Sequence, residues 1–377
     1  MIRGQVLYRA MHLRNTMEKA LVLCEGAFIK PPGKTAAGLV RHSLRFKIVG
    51  IVDSTQAGKD AGEILDGVKR DIPIFASVKD ALSRLDSRPD VLIIGVATVG
   101  GMLPKHFRPI IKEAIRNKID IISGLHEWLE QDHELASLAR RHKVRITDIR
   151  KEPPLDKMHH YRNLASKMKA VRIPILGTDA ASGKRTTGII LTKELNKRGI
   201  NTSFVATGQT GLLQGSRFGI PLDAIRGDYV VGELENAIDI AYRTEHPQVI
   251  IIEGQGALSH QAYVTGSRTI VSASSPNAVV LQHAPARRWR SYHTDELHLP
   301  NGTIEREMEL IKVCAGCDVI GITINHTDMT RKEVERKIAE YERKYNLPAC
   351  DALVDGTGKI ADAIIEKFSL KPRKRRV

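Results

Sequence analysis

The segment Gly177-Thr-Asp-Ala-Ala-Ser-Gly-Lys-Arg-Thr-Thr187 sets glycines, a lysine and hydroxyls between an apolar run, 171–176, and a helical stretch, 185–198. Amides of a glycine-rich turn converge on an anion, and the start of the following helix adds a partial positive charge. Gly183 lets the backbone approach a ligand closely, and Lys184 brings an ammonium to its outer oxygens. Strand, turn, Gly-Lys pair and helix occur in the order of a phosphate-binding loop. That order marks Gly177, Thr178, Asp179, Ser182, Gly183, Lys184, Arg185, Thr186 and Thr187 as the residues around a phosphate. The alternative is a tight turn that needs its glycines for itself.

Two features depart from the usual loop. Five residues separate Gly177 from Gly183, one more than is standard, and this spacing and the Gly-Thr-Asp start resemble dethiobiotin synthetase. The residue after the lysine, normally a magnesium-binding Ser or Thr, is Arg185. Either Thr186 takes the metal or none is needed, because a guanidinium there can itself pair with phosphate. The metal is left open.

Other groups stand where neighbouring strands should end. Glu253 closes the apolar run 249–252 and is followed by Gly254-Gln-Gly256. Ligands of open α/β sheets bind beyond the carboxyl ends of strands, so Glu253 is expected to face the phosphate loop as a base or metal ligand. A structural carboxylate is the alternative. His260, with an unperturbed pKa of about 6.5, is a second candidate base, or a surface histidine. His283 ends another strand and leads to Arg287 and Arg288, which either clamp an anion or stay solvated. Gln209, in Gly208-Gln-Thr-Gly211, is expected in the same crevice, and Arg226 is a further candidate for a carboxylate. Asp228 reads as a helix N-cap.

Gly33-Lys34-Thr35 is a competing motif near the N-terminus. It lacks the upstream glycine and follows Pro31-Pro32, so it reads as an ordinary loop. Asp53 ends a second strand as a ribose-binding acid does, but Gly-x-Gly-x-x-Gly is missing after the first strand, which argues against a nicotinamide site.

The elements that must position these groups alternate. Apolar runs at 21–24, 47–52, 91–96, 119–122 and 144–147 are separated by helical stretches at 78–85, 109–117 and 129–140. After a polar, proline-containing segment at 151–170 the alternation restarts. Strands are expected at 171–176, 202–206, 249–252, 278–282, 319–324 and 352–354, and helices at 185–198, 230–243, 304–314, 331–345 and 359–368. Strands alternating with helices mean parallel sheets covered on both faces. The expected fold is α/β, with two doubly wound parallel-sheet domains. A Rossmann-like domain spans 1–165, a P-loop NTPase-like domain 166–370, and a basic tail 371–377.

The chain has 377 residues, enough for two domains and two cores. No apolar run reaches the roughly 18–20 residues of a membrane span, and the first twenty residues lack the apolar core of a secretory signal. A cytoplasmic protein is the expectation. Four cysteines in a chain this long fit a reducing compartment, and Cys314-Ala-Gly-Cys317, without a second pair, reads as a helix end rather than half a zinc site. The net charge of +15 attracts anions, but aromatic content is low and no nucleic-acid motif is present. Small anionic substrates are the expected partners, with neither membrane nor nucleic acid; a homo-oligomer stays open.

Taken together, Gly-Thr-Asp…Gly-Lys-Arg-Thr-Thr, Gly208-Gln-Thr-Gly211, Glu253-Gly-Gln-Gly256 and Gln282-His-Ala-Pro285 resemble the D-glutamate N-acetyltransferase family. The resemblance covers nearly the whole chain and implies acetyl transfer from acetyl-CoA to the amine of an acidic D-amino acid. Coenzyme A carries a pyrophosphate, so a phosphate loop can hold it without hydrolysis. Glu253 or His260 would take the amine's proton, strand-end amides would hold the oxyanion, and Arg226 or Arg287 would hold the substrate's carboxylates. The rivals are an ATP-dependent ligase or kinase using magnesium, and a non-catalytic nucleotide-binding protein.

Overall fold

A computed structural model describes residues 17–291 and 297–373. The readings of the extreme N-terminus, 1–16, and of the tail beyond residue 373 lie outside the described residues. Among the described residues no helix is long and apolar enough to cross a membrane.

The chain divides into two compact units. The first contains residues 17–153 and Gln209–Ser216. Its strands are β1 (Glu18–Leu23), β2 (Phe46–Val52), β3 (Ile74–Phe75), β4 (Val91–Ile94), β5 (Asp120–Ser123) and β6 (Ile146–Asp148). All pair in parallel, in the order β3-β2-β1-β4-β5-β6. This is the doubly wound order with its switch point between β1 and β4. Helices lie between the strands, and polar side chains start several of them: Asp60 caps Ala61–Asp66 and Ser77 caps Val78–Arg84. The stretch 129–140, read as one helix, is divided. Asp132 caps a helix at His133–His142 by accepting the Leu135 amide at 2.9 Å, so Leu129–Gln131 is left as a separate 3₁₀ turn.

The second unit contains 154–208 and 217–373. Its strands are β7 (Val171–Gly177), β8 (Thr202–Ala206), β9 (Phe218–Gly219), β10 (Val249–Ile252), β11 (Val279–His283), β12 (Val319–Ile324) and β13 (Ala349–Cys350). They form one parallel sheet, β13-β12-β11-β7-β10-β8-β9. The strands are continuous apolar runs because both faces are covered, and Ile173, Ile175, Ile251 and Val280 share a core with Leu191 and Leu195 of the helix Lys184–Lys197. Pro174 is tolerated in the central strand because pairing passes there from β10, opposite 171–174, to β11, opposite 175–177. Connections leave β7 and β11 in opposite directions along the sheet, which opens a crevice at their carboxyl ends.

Three expectations need correction here. The last strand is Ala349–Cys350, not 352–354; Asp351 accepts the Leu353 amide at 3.0 Å, and the turn leaves Leu353 and Val354 52% and 58% exposed. The crossing between units falls at 153/154 rather than near 165. Buried Glu235 accepts the amides of Arg162 and Leu164 at 2.7 and 2.6 Å, and Glu233 accepts that of His159 at 2.5 Å, so this polar segment packs within the second unit. Asp228 lies in the first turn of the helix Gly227–Glu245, whose N-cap is Arg226.

Candidate functional site

β7 delivers the chain to the loop 178–183 at the sheet's crevice. Thr178 still pairs with the neighbouring strand, its amide donating to Gln282 O at 3.1 Å. After it, the amides of 179–184 donate to no group among the described residues, although Asp179 and Ser182 are buried. Two positive φ angles, +47° at Ala181 and +105° at Gly183, turn the loop so that successive amides can face one point. The helix Lys184–Lys197 starts directly from Gly183.

Lys184 is buried, and its Nζ donates to Asp179 O at 2.5 Å and to Ser182 Oγ at 3.3 Å. It therefore folds back over the loop instead of reaching into solvent. Two glycines make room for its stem. A Cβ on Gly177 would stand 3.2 Å from Lys184 Cδ, and one on Gly254 would stand 2.8 Å from it and 1.7 Å from Ile175 O. Burial lowers the ammonium's pKa to about 8 against the opposing pull of Asp179.

Glu253 follows β10 at the same end of the sheet and is buried. Its Oε2 accepts the amides of Thr207 and Gly208 at 2.9 and 3.3 Å, while Oε1 accepts no hydrogen bond among the described residues. Burial raises its pKa above the usual carboxylate value, with Arg185 and the two amides pulling the other way. The strand-end amides expected to serve an oxyanion are thus partly spent on this carboxylate. Gln255, the middle residue of Gly254-Gln-Gly256, braces the same turn by donating to Thr207 O at 3.0 Å.

The strand-end residues of β11 serve the loop as well. Gln282 Oε1 accepts Thr187 Oγ1 at 2.5 Å and Thr323 Oγ1 at 2.6 Å. His283 Nδ1 lies 2.8 Å from Thr178 Oγ1, and burial lowers its pKa to about 4, so the ring stays neutral near pH 7. Arg287 Nη1 donates to Asp179 Oδ2 at 2.7 Å and to Ala180 O at 2.8 Å, and Nη2 donates to Ala181 O at 3.3 Å. It struts the phosphate loop where a substrate clamp was expected. Arg288 stacks on Trp289, 4.7 Å from the ring centroid.

His260 is buried, and its Nδ1 accepts the amides of Ala262 and Tyr263, both at 3.1 Å. An accepting Nδ1 places the neutral ring's proton on Nε2, which lies 3.5 Å from Asp179 Oδ1. With its lone pair occupied, the imidazole is built to support the loop rather than to receive a proton. Two buried residues escaped the sequence reading. Arg290 donates to Thr178 O at 3.0 Å and to Ser259 O and Oγ at 3.1 and 2.8 Å. Glu307 accepts the amides of Leu258 and Ser259 at 3.1 and 2.9 Å. Neither belongs to a motif, and only their burial in three dimensions reveals them.

Gln209 belongs to the first unit, where Arg150 donates to its Oε1 at 2.8 Å. Arg226 is exposed at the start of the helix Gly227–Glu245.

The first unit supplies an internal contrast. Gly33-Lys34-Thr35 does follow the first strand and opens the helix Lys34–Arg41. Yet its loop amides are committed: Ala27 to Cys24 O, Lys30 to Ala27 O, and Gly33 to Lys30 O. Buried Asp53 takes those of Gly26 and Phe28, each at 3.1 Å. This strand-end acid therefore closes its own loop.

Comparison with known proteins agrees with this architecture. Residues 54–152 match the N-terminal Rossmann-like domain, and residues 159–361 the P-loop domain, of the domain-of-unknown-function family DUF1611. A D-glutamate N-acetyltransferase of Pseudoalteromonas sp is 33% identical over 277 residues, covering 71% of this chain and 79% of that protein. Another from Tritonibacter scottomollicae is 30% identical over 286 residues, covering 72% and 80%. The crystal structure of a DUF1611 family protein from Anabaena variabilis superposes with a TM-score of 0.84 at 29% identity, covering 93% of this chain and 99% of that one.

Proposed function

Because this chain belongs to the DUF1611 family, we propose that it is an N-acetyltransferase that moves the acetyl group of acetyl-CoA to the amine of an acidic D-amino acid such as D-glutamate. The observation that carries the reading is the row of unspent amides at 179–184 beneath a buried lysine. That seat suits the pyrophosphate of coenzyme A. Arg185 stands where a magnesium-binding hydroxyl is usual, and its charge reaches Glu253, the sign opposite to that of a cation seat. The loop is thus better suited to gripping phosphates than to cleaving them.

Glu253 is the proposed base. Its Oε1 takes a proton from the substrate ammonium, and the raised pKa suits a group that must accept and release protons. The amine nitrogen then bonds to the thioester carbonyl carbon and the carbon–sulfur bond breaks. The second amine proton passes to the departing sulfur, and the first is released from Glu253 to solvent. Arg226, the exposed N-cap of the helix Gly227–Glu245 in the same unit, is the proposed holder of the acceptor's carboxylates.

Thermal-shift measurements with acetyl-CoA, CoA and ATP with magnesium test the reading, because stabilisation grows with ligand concentration over Kd. Acetyl-CoA and CoA should raise the Tm. A large rise with ATP and magnesium and none with acetyl-CoA would replace the transferase by an ATP-dependent ligase or kinase.

A further inference from the structure

Arg290 is among the largest fully buried side chains of the described residues, and the chemistry proposed above gives it no part. Its two terminal nitrogens serve different segments. Nη1 holds Thr178 O, at the root of the phosphate loop, and Nη2 holds the carbonyl and hydroxyl of Ser259, on the loop that begins at Glu253. A buried guanidinium is costly unless nearly all its donors are used, so a hydrophobic residue would be the cheaper filler if packing were its whole purpose. The surroundings are shaped to admit it. A Cβ on Gly302 would stand 2.6 Å from Thr178 O, 3.1 Å from Ser259 Oγ and 3.4 Å from Arg290 Nη2.

His260 also looks across the same gap: its Nε2 stands 3.5 Å from Asp179 Oδ1, and its tautomer is fixed by the amides of Ala262 and Tyr263. Glu307 holds the Leu258 and Ser259 amides from behind. Ser259 is therefore gripped on both sides of its peptide, and the arginine converts that grip into a fixed distance from Thr178.

We propose that Arg290 is a positioning residue that locks the phosphate loop and the Glu253–His260 segment into one rigid piece, so that ligand capture at one is felt at the other. This rests on the acetyltransferase reading only for its kinetic consequence. The mechanical coupling stands on geometry alone.

Arg290→Lys tests it, because a single ammonium cannot span both loops as the planar fork does. Gly302→Ala disturbs the same bridge while leaving Arg290 in place. Both are compared with wild type by hydrogen exchange, with CoA and with ADP as probes, after thermal melts confirm folding. In wild type either probe should slow exchange in both 179–184 and 254–260; in the variants protection should persist in 179–184 and vanish from 254–260. In acetyl transfer, kcat should fall at least about tenfold while the KM for acetyl-CoA changes less than about threefold. Protection of both segments in a folded variant, or of 179–184 alone in wild type, would overturn the coupling. Wild-type protein that binds CoA and couples the loops but transfers no acetyl group would overturn the acetyltransferase reading and leave the coupling intact. Failure of wild type to bind either probe would remove both.

Discussion

Arg287 grips the carboxylate of Asp179 at 2.7 Å across 108 residues of sequence, and the same guanidinium holds the next two carbonyls of the phosphate loop. The arginine thus stands behind the loop, not in front of it. Arg287→Ala should accordingly raise the Kd for CoA about tenfold or more while leaving the KM for the amino acid within a few-fold, since a hydrogen bond to a charged group contributes about 1.5–3 kcal/mol. Calorimetry with CoA and steady-state kinetics with the acceptor separate the two; an acceptor KM that rises alone would return Arg287 to the role of substrate clamp.

Lys184→Ala should weaken CoA binding by about 1.5–3 kcal/mol in calorimetry, because the lysine is the buried cation of the loop. Unchanged affinity would contradict the assignment.

The same lysine predicts a pH dependence. Its pKa in the free protein is lowered from 10.5 to about 8, so above pH 8 the ammonium is progressively lost. A bound anion favours the charged form and restores the proton. Affinity should fall as pH rises through about 8, and binding at pH 9 should take up a proton, read from calorimetry in buffers of different ionisation enthalpy. Binding with no proton uptake at that pH would exclude Lys184 as the group in contact with phosphate.

Glu253→Gln should lower kcat about 10²–10⁴-fold with little change in CoA affinity, the usual range for a positioned base. Because burial raises this carboxyl's pKa, the acidic limb of the kcat profile should lie above the ordinary carboxylate range, with activity gained as pH rises through it. A limb that survives in the glutamine variant would assign the base elsewhere.

The two Gly-Lys loops should behave oppositely. Lys34→Ala should leave ligand affinity unchanged, since the amides around it are already taken. Asp53→Ala should instead lower stability by several kcal/mol in denaturant titration, at about 1–3 kcal/mol per stranded donor. Its carboxylate accepts from Gly26, Phe28 and Thr55.

The sequence revealed whatever is local. Most strands were legible as apolar runs, and the phosphate loop as a spacing, because period and order along the chain carry that information. The two-residue strands β3 and β9 are too short to show a period. The supports of the site were hidden for another reason. Arg290 and Glu307 act across long sequence separations on main-chain atoms, which every residue possesses, so no residue type marks their partners. His260 shows the same limit: its type suggested a base, but two neighbouring amides decide which nitrogen carries the proton.

Gln209–Ser216 completes the first unit although the first two strands of the second sheet precede it. Thr210 bonds Thr35 at 2.9 Å, and Gln214 donates to Gly38 O at 2.7 Å. On the ribosome, therefore, the N-terminal half lacks part of its structure until residue 216 emerges, when β7 and β8 have already been made. Its maturation is interleaved with that of the later half instead of preceding it, and a fragment ending at 153 would be born without one of its own pieces.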